Sequence, residues 1–132
     1  MASIFSKIAS KDIPGYFLAE NDEFFAILDI NPLAKGHTLI IPKLEVDYIF
    51  DLPADYLGRY FMFSQNVAKA MGNVLDCERI GVAVIGLEVP HAHIHLVPIN
   101  NVSDIDFSLP KKTFTVDEMK AVQSDIKSKM VI

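Results

Sequence analysis

The sequence predicts an α+β domain: an antiparallel sheet of about five strands, a long helix and a C-terminal helix, with helices on one face of the sheet. Three observations predict it. Short apolar stretches bounded by Pro, Gly and Asn-Asp clusters recur through most of the chain. Between two of them, Leu57, Tyr60, Phe61, Val67, Ala68, Met71, Val74 and Leu75 return at helical spacing. Near the end, Thr115-Val116-Asp117-Glu118 forms a capping box, and Met119, Val122, Ile126 and Met130 mark one face of a final helix.

The elements follow in order. Ile4 to Ala9 reads as a short helix ended by the turn cluster Asp12-Ile13-Pro14-Gly15. Tyr16 to Glu20 and Phe24 to Ile30 read as strands joined by a hairpin at Asn21-Asp22-Glu23. Thr38-Leu39-Ile40-Ile41 is a buried strand stopped at Pro42. Asp51-Leu52-Pro53 opens the long helix, with Asp as cap and Pro in the first turn. Ile80 to Ile85 is the next strand, and Gly86 to Pro90 a turn region before the last one. Asn100 to Phe114 is a connection whose Lys111-Lys112 pair reads as solvated charge or as a contact for a polyphosphate.

Composition sets bounds. The 132 residues make one domain, 1–132, with a core at about 4–99 and an extension carrying a helix at about 115–130. No apolar run approaches the roughly 20 residues of a membrane span, and no secretory signal is visible at the start, so neither membrane nor export is expected. The single Cys77 fits a reducing cytoplasm. A net charge of −5 argues against bulk electrostatic binding to nucleic acid, so the target is small.

His91-Ala92-His93-Ile94-His95 carries three of the four histidines at alternate positions of one apolar segment. On a strand, alternate side chains share a face, roughly 6.5–7 Å apart. Ala92, Ile94 and Leu96 then point into a core. Histidine is the one side chain whose ordinary pKa lies near neutrality, so such a wall can attack, donate or accept a proton. Two other readings stay open, a solvated face and a metal site, since imidazole is the commonest metal ligand. With one cysteine and no carboxylate on the segment itself, neither a metal nor a cofactor is expected.

The run His91-Ala92-His93-Ile94-His95-Leu96-Val97 resembles the signature of the histidine triad (HIT) superfamily of nucleotide hydrolases and transferases, in its nucleotide-binding branch. The stretch Leu28-Asp29-Ile30-Asn31-Pro32-Leu33-Ala34-Lys35-Gly36-His37-Thr38-Leu39-Ile40-Ile41-Pro42-Lys43 is similar to the family's second block, and Ile4-Phe5-Ser6-Lys7-Ile8 with Ile13-Pro14 to its opening. The similarity runs in order from about Ile4 to Ile99. It implies a HIT-like fold that forms homodimers by joining two sheets.

The resemblance also implies roles. His93 would attack the α-phosphorus of a nucleoside 5′-phosphate derivative, forming a nucleotidyl-histidine that water releases as a monophosphate. His91 and His95 would hydrogen-bond the phosphate oxygens, and His37 would orient the triad. Asp29 would accept the ribose hydroxyls, with Ile30, Phe5 and Ile8 on the base, a purine by family preference. Phosphoramidates are the expected substrates, and dinucleoside polyphosphates the alternative. A nucleotide-binding module with little turnover is a third reading.

The chain departs from the family before the triad. The usual Asn-x-Gly…Gly-Gln-Ser/Thr-Val run is replaced by the shorter Val84-Ile85-Gly86-Leu87-Glu88-Val89-Pro90. Gly86 keeps a backbone able to approach a phosphate, while Glu88 would repel one, or else favour a protonated histidine or a basic leaving group. Glu45 stands where many relatives carry a histidine.

Overall fold

The computed structural model describes residues 2–130. Its elements are α1 (Ile4–Ala9), β1 (Phe17–Glu20), β2 (Phe24–Leu28), β3 (Thr38–Pro42), α2 (Ala54–Val74), β4 (Arg79–Ala83), β5 (Ile94–Ile99) and α3 (Val116–Ser128). Two short 3-10 turns, Ile49–Asp51 and Val102–Ile105, lie in the connections. The sheet order is β1-β2-β3-β5-β4, antiparallel throughout.

Strand alternation separates two cores. Phe24, Ala26, Leu28, Ile40, Ile94 and Leu96 pack with Tyr60, Val67 and Met71 of α2 and with Met119, Val122 and Ile126 of α3. Phe25, Ile27, Leu39 and Ile41 face the other way and meet Phe5 and Ile8 of α1. The helices therefore cover both faces, which corrects the one-face expectation. A six-residue helix offers too few periodic positions to show its face in sequence.

The long helix begins later than Asp51. Leu52 donates to the Ile49 carbonyl at 3.2 Å, so Asp51 closes a 3-10 turn instead of capping α2. Pro53 is the N-cap, and its carbonyl accepts from Leu57 N–H at 2.8 Å. The buried stripe runs through Tyr60, Ser64, Val67, Ala70 and Met71, while Phe61, one position round the helix from Tyr60, is 45% exposed. The strands are also trimmed: Tyr16 precedes β1, β2 stops at Leu28, and Val84 and Ile85 run on past β4. Pro42 belongs to β3, paired with Phe24 at its end, where its missing N–H breaks no internal ladder.

The decisive local feature is where β3 and β5 part. Their pairing ends at Ile40↔Ile94, and there the buried Tyr60 hydroxyl enters. It donates to the Ile40 carbonyl at 2.5 Å and accepts from Ile94 N–H at 3.2 Å. Residues before Ile94 are thereby released from β3, and Ala92 N–H turns to the Val46 carbonyl at 2.7 Å. His91 and His93 precede the strand, and of the three only His95 lies within it, between Leu39 and Ala83. Among the described residues, no helix is long and apolar enough to cross a membrane.

Candidate active site

The alternation of the histidine segment outlasts the strand. Ala92 and Ile94 enter the α2 core, while His91, His93 and His95 face the α1 side. Each imidazole is fixed by a different partner, and the partners decide where its protons sit.

His93 Nδ1 lies 2.8 Å from the His91 carbonyl oxygen. A carbonyl only accepts, so Nδ1 donates and the neutral ring keeps its lone pair on Nε2. His91 is held at both nitrogens: Nε2 donates to the Pro42 carbonyl at 2.7 Å, and Nδ1 accepts from the Ser3 hydroxyl at 2.5 Å. Both nitrogens of His91 are thus engaged within the protein. Ser3 caps α1 and is itself anchored, since its N–H and the Ser6 hydroxyl both donate to Glu45 Oε1, at 2.6 and 2.7 Å. These donors hold the Glu45 carboxyl down at about 2.

His95 is braced from behind. Leu33 N–H donates to His37 Nδ1 at 3.0 Å, which leaves the proton of His37 on Nε2. That Nε2 lies 3.0 Å from His95 Nδ1 and donates to it, so His95 carries its own proton on Nε2. Burial pushes His37 down to about 4 and His95 down to about 3, so both rings are neutral at pH 7. His37 reaches this place through Gly36, whose φ is +89° and where a Cβ would meet Leu75 Cδ1 at 2.5 Å.

No buried side-chain nitrogen or oxygen among the described residues lacks a partner. Among the described residues His93 Nε2 and His95 Nε2 have no hydrogen-bond partner, and with no buried polar atom there left unpaired both open to solvent. One presents a lone pair and its neighbour an N–H. That pairing offers a nucleophile beside a hydrogen-bond donor, the minimum for a displacement at phosphorus.

Asp29 follows β2, accepts Asn31 N–H at 2.9 Å, and sits 3.6 Å from His37 Nε2. Burial raises its pKa, and the nearby Glu88 charge adds to the rise while Lys111 opposes it. Asp29, His37 and His95 offer three ligand atoms within 4.8 Å of one another. Their chemistry does not fit a divalent ion. Ligation at His37 Nε2 would force the proton onto Nδ1, against the Leu33 N–H already directed there.

The remaining predicted residues fall in different places. Ile30 is 69% exposed beside Asp29. Phe5 is buried with its ring edge-on to His93 and His91, at 4.9 and 5.8 Å between centroids. Ile8 is buried in the same α1-side core, against the Gly15 backbone. Gly86 takes a positive φ of +76°, and Glu88 is exposed in the same loop. Sequence reasoning missed Ser3, the anchoring role of Glu45, and Phe107. Ser3 carried a signal as the N-cap before Ile4; Phe107 carried none. Its ring lies 4.6 Å from His95 and 6.2 Å from His37.

Known proteins resemble this chain in sequence and fold. A HIT domain family model matches residues 10–102. The adenosine 5′-monophosphoramidase HNT1 of Saccharomyces cerevisiae is 39% identical over 101 residues, 74% of this chain; the chain spans 62% of that relative's length. The adenosine 5′-monophosphoramidase hnt1 of Schizosaccharomyces pombe is 33% identical over 135 residues, covering 98% of this chain and 99% of its own. The crystal structure of a Hit-like protein involved in cell-cycle regulation from Bartonella henselae shares the fold at a TM-score of 0.85, with 26% identity over 97% of this chain and 96% of that one. The family model covers most of the chain and the sheet matches that of the solved relative, so this chain belongs to the HIT domain family.

Proposed function

We propose that this HIT-family hydrolase cleaves the α-phosphate bond of a nucleoside 5′-phosphoramidate, with a purine favoured, through a nucleotidyl-histidine on His93. The observation that carries the reading is the protonation pattern: His93 offers a solvent-open lone pair beside the N–H of His95. Two relatives are named adenosine 5′-monophosphoramidases, which supports the substrate class.

In this reading His93 Nε2 forms a bond to the α-phosphorus as the bond from phosphorus to the leaving nitrogen breaks. The electron pair stays with that nitrogen, which accepts a hydrogen bond from His95 Nε2–H, takes a proton from water and departs as an amine. Water then attacks the nucleotidyl-histidine, its proton is released, and the monophosphate leaves with His93 restored. His91 sets the position of His93 through its carbonyl instead of touching phosphate. Asp29 accepts the ribose hydroxyls, and the exposed Ile30 packs against the base. Gly86 brings backbone to the phosphate side.

One specific observation separates this from the dinucleoside polyphosphate reading. Glu88 and Asp29 both bring negative charge close to the site, which opposes a polyphosphate leaving group and tolerates an amine. The same reading includes a single domain over 1–132, a reducing cytoplasmic setting for the lone Cys77, and a homodimer. Support for the dimer is the edge strand β4, where Val82 is 55% exposed. Val82→Lys, checked by sedimentation, is expected to yield monomer.

The test is AMP release in EDTA from an adenosine phosphoramidate and from a dinucleoside tetraphosphate, with His93→Ala beside the parent protein. Release from the phosphoramidate that vanishes in His93→Ala is expected. Preference for the tetraphosphate would overturn the substrate class, and AMP binding without release from either would leave a nucleotide-binding module.

A further inference from the structure

Four aromatic rings stand in one edge-to-face row across the site: Phe5, His93, His95 and Phe107. Successive centroids are 4.9, 4.9 and 4.6 Å apart, with interplanar angles of 64°, 62° and 66°. The inner two rings hold the free nitrogens. Phe107 comes from a stretch beyond the 10–102 match, yet it makes the shortest contact in the row.

The segment that carries Phe107 is fastened at several points. Asp104 caps the preceding turn, accepting from Asn100 and Asn101 N–H at 2.8 Å. Asp106 Oδ1 accepts from the Ser108 N–H and hydroxyl. Lys111 Nζ reaches back to the Phe107 and Leu109 carbonyls, at 2.7 and 3.2 Å. Lys112 N–H then pins the segment to the Pro32 carbonyl at 2.8 Å, in the loop that also supplies Leu33 N–H to His37. The result is a strap crossing from the end of β5 to the loop ahead of β3.

His95 needs such a wall. Its Nε2 is useful only while Nδ1 stays on His37, and that bond depends on one orientation of the ring. His93 restrains one side of the imidazole and Phe107 the opposite end of the row. We propose that Phe107 is a positioning residue for His95, delivered by the strap and locked by Lys111, and that it keeps the His95 N–H directed at the leaving group. This rests on the phosphoramidate reading for its catalytic consequence, while the orientation of the ring is measurable without turnover.

The titratable groups around His95 are His93 on its own segment, His37 at the start of β3, Asp29 after β2, and Lys111 on the strap. Glu88, in the loop ahead of His91, acts on Asp29. Replacing Phe107 removes none of these charges. A change in the titration of His95 therefore reports packing and hydration, and not a lost ion.

The test is side-chain ¹⁵N NMR of His95 from pH 7.5 to 4, run with phosphoramidate kinetics, on the parent protein, Phe107→Ala, Phe107→Leu and Lys111→Met. In the parent, His95 is expected to hold one tautomer and stay neutral across that range. In Phe107→Ala, the tautomers mix, the ring begins to titrate within the range, and kcat falls about ten- to a hundredfold with little change in KM. Phe107→Leu recovers most of kcat, and Lys111→Met falls between. An unchanged His95 spectrum in folded Phe107→Ala overturns the proposal. If Phe107→Ala does not fold, Lys111→Met is judged by the His95 tautomer alone, since it also removes a charge near His37, and an unchanged tautomer overturns the proposal. A parent protein inactive on phosphoramidates would remove the substrate reading alone, leaving the spectra to decide the role of Phe107.

Discussion

The backbone N–H of Leu33 lies 3.0 Å from Nδ1 of His37, and this single contact decides which nitrogen of His95, 58 residues beyond His37, carries a proton. Two consecutive rings are set in one tautomer by one main-chain donor, because each imidazole accepts on one nitrogen and donates from the other.

Removing the middle ring should break that transmission. In His37→Phe, His95 Nδ1 loses its donor, and a fraction of molecules then turn a lone pair towards the substrate. We expect kcat to fall by up to about a hundredfold with KM little changed. Single-turnover kinetics and the ¹⁵N shifts of His95 check it; a fixed His95 tautomer in the variant would contradict the transmission.

Acid should weaken the fold before most carboxylates titrate. His37 and His95 are held at about 4 and about 3 in the fold, and His91 is lowered as well, chiefly by burial. Unfolded histidine titrates near ~6.5. Between those values the unfolded chain binds more protons, so the stabilisation is complete above about pH 6.5 and is lost as pH falls towards 4 and 3. Urea unfolding at pH 7.5, 6.0 and 5.0 should show a decline of a few kcal/mol across the series. His37→Asn should flatten the slope. Glu20 and Asp104 have lowered pKa values, so their losses fall at still lower pH.

Gly36→Ala adds a methyl to a backbone at φ +89°, with Leu75 Cδ1 only 2.5 Å from the new Cβ. Strain and overlap together should cost about 1–3 kcal/mol. In a Leu75→Ala background the overlap disappears and the strain stays, so the added cost of Gly36→Ala should shrink without vanishing. Thermal melts of the four proteins measure both parts.

Tyr60→Phe removes the hydroxyl that serves Ile40 and Ile94 where β3 and β5 separate. Both backbone groups are buried, and leaving them unpaired should cost about 1–3 kcal/mol. Ile94 N–H should also gain faster hydrogen exchange, whereas Ile99 at the far end of β5 keeps its rate. Equal acceleration along β5 would mean that the hydroxyl has no local role.

The legible parts of this protein are local ones. The capping box at Thr115 to Glu118 appears as read from sequence, because it is an exchange of hydrogen bonds within three residues. The alternation of His91, His93 and His95 survives, because extended backbone alternates its side chains whether or not it is paired. What the sequence hides is partnership at long range. Nothing near His91 announces Ser3, 88 residues away, and nothing near Phe107 announces His95. Asp51 misled for a related reason: a capping residue before Pro looks the same whether the next turn is α-helical or 3-10.

The row of four rings also has a bearing on synthesis. A ribosome that has released the chain only through His95 has made every histidine, but neither the outer ring of the row nor the lysine that fastens it. Phe5, at the other end of the row, is made first and waits for His93 to arrive. The chemistry of the site is written into five neighbouring residues, yet the reactive arrangement cannot be finished until translation has passed them. A newly made chain therefore carries its nucleophile through the crowded exit of the ribosome before that nucleophile is set to work.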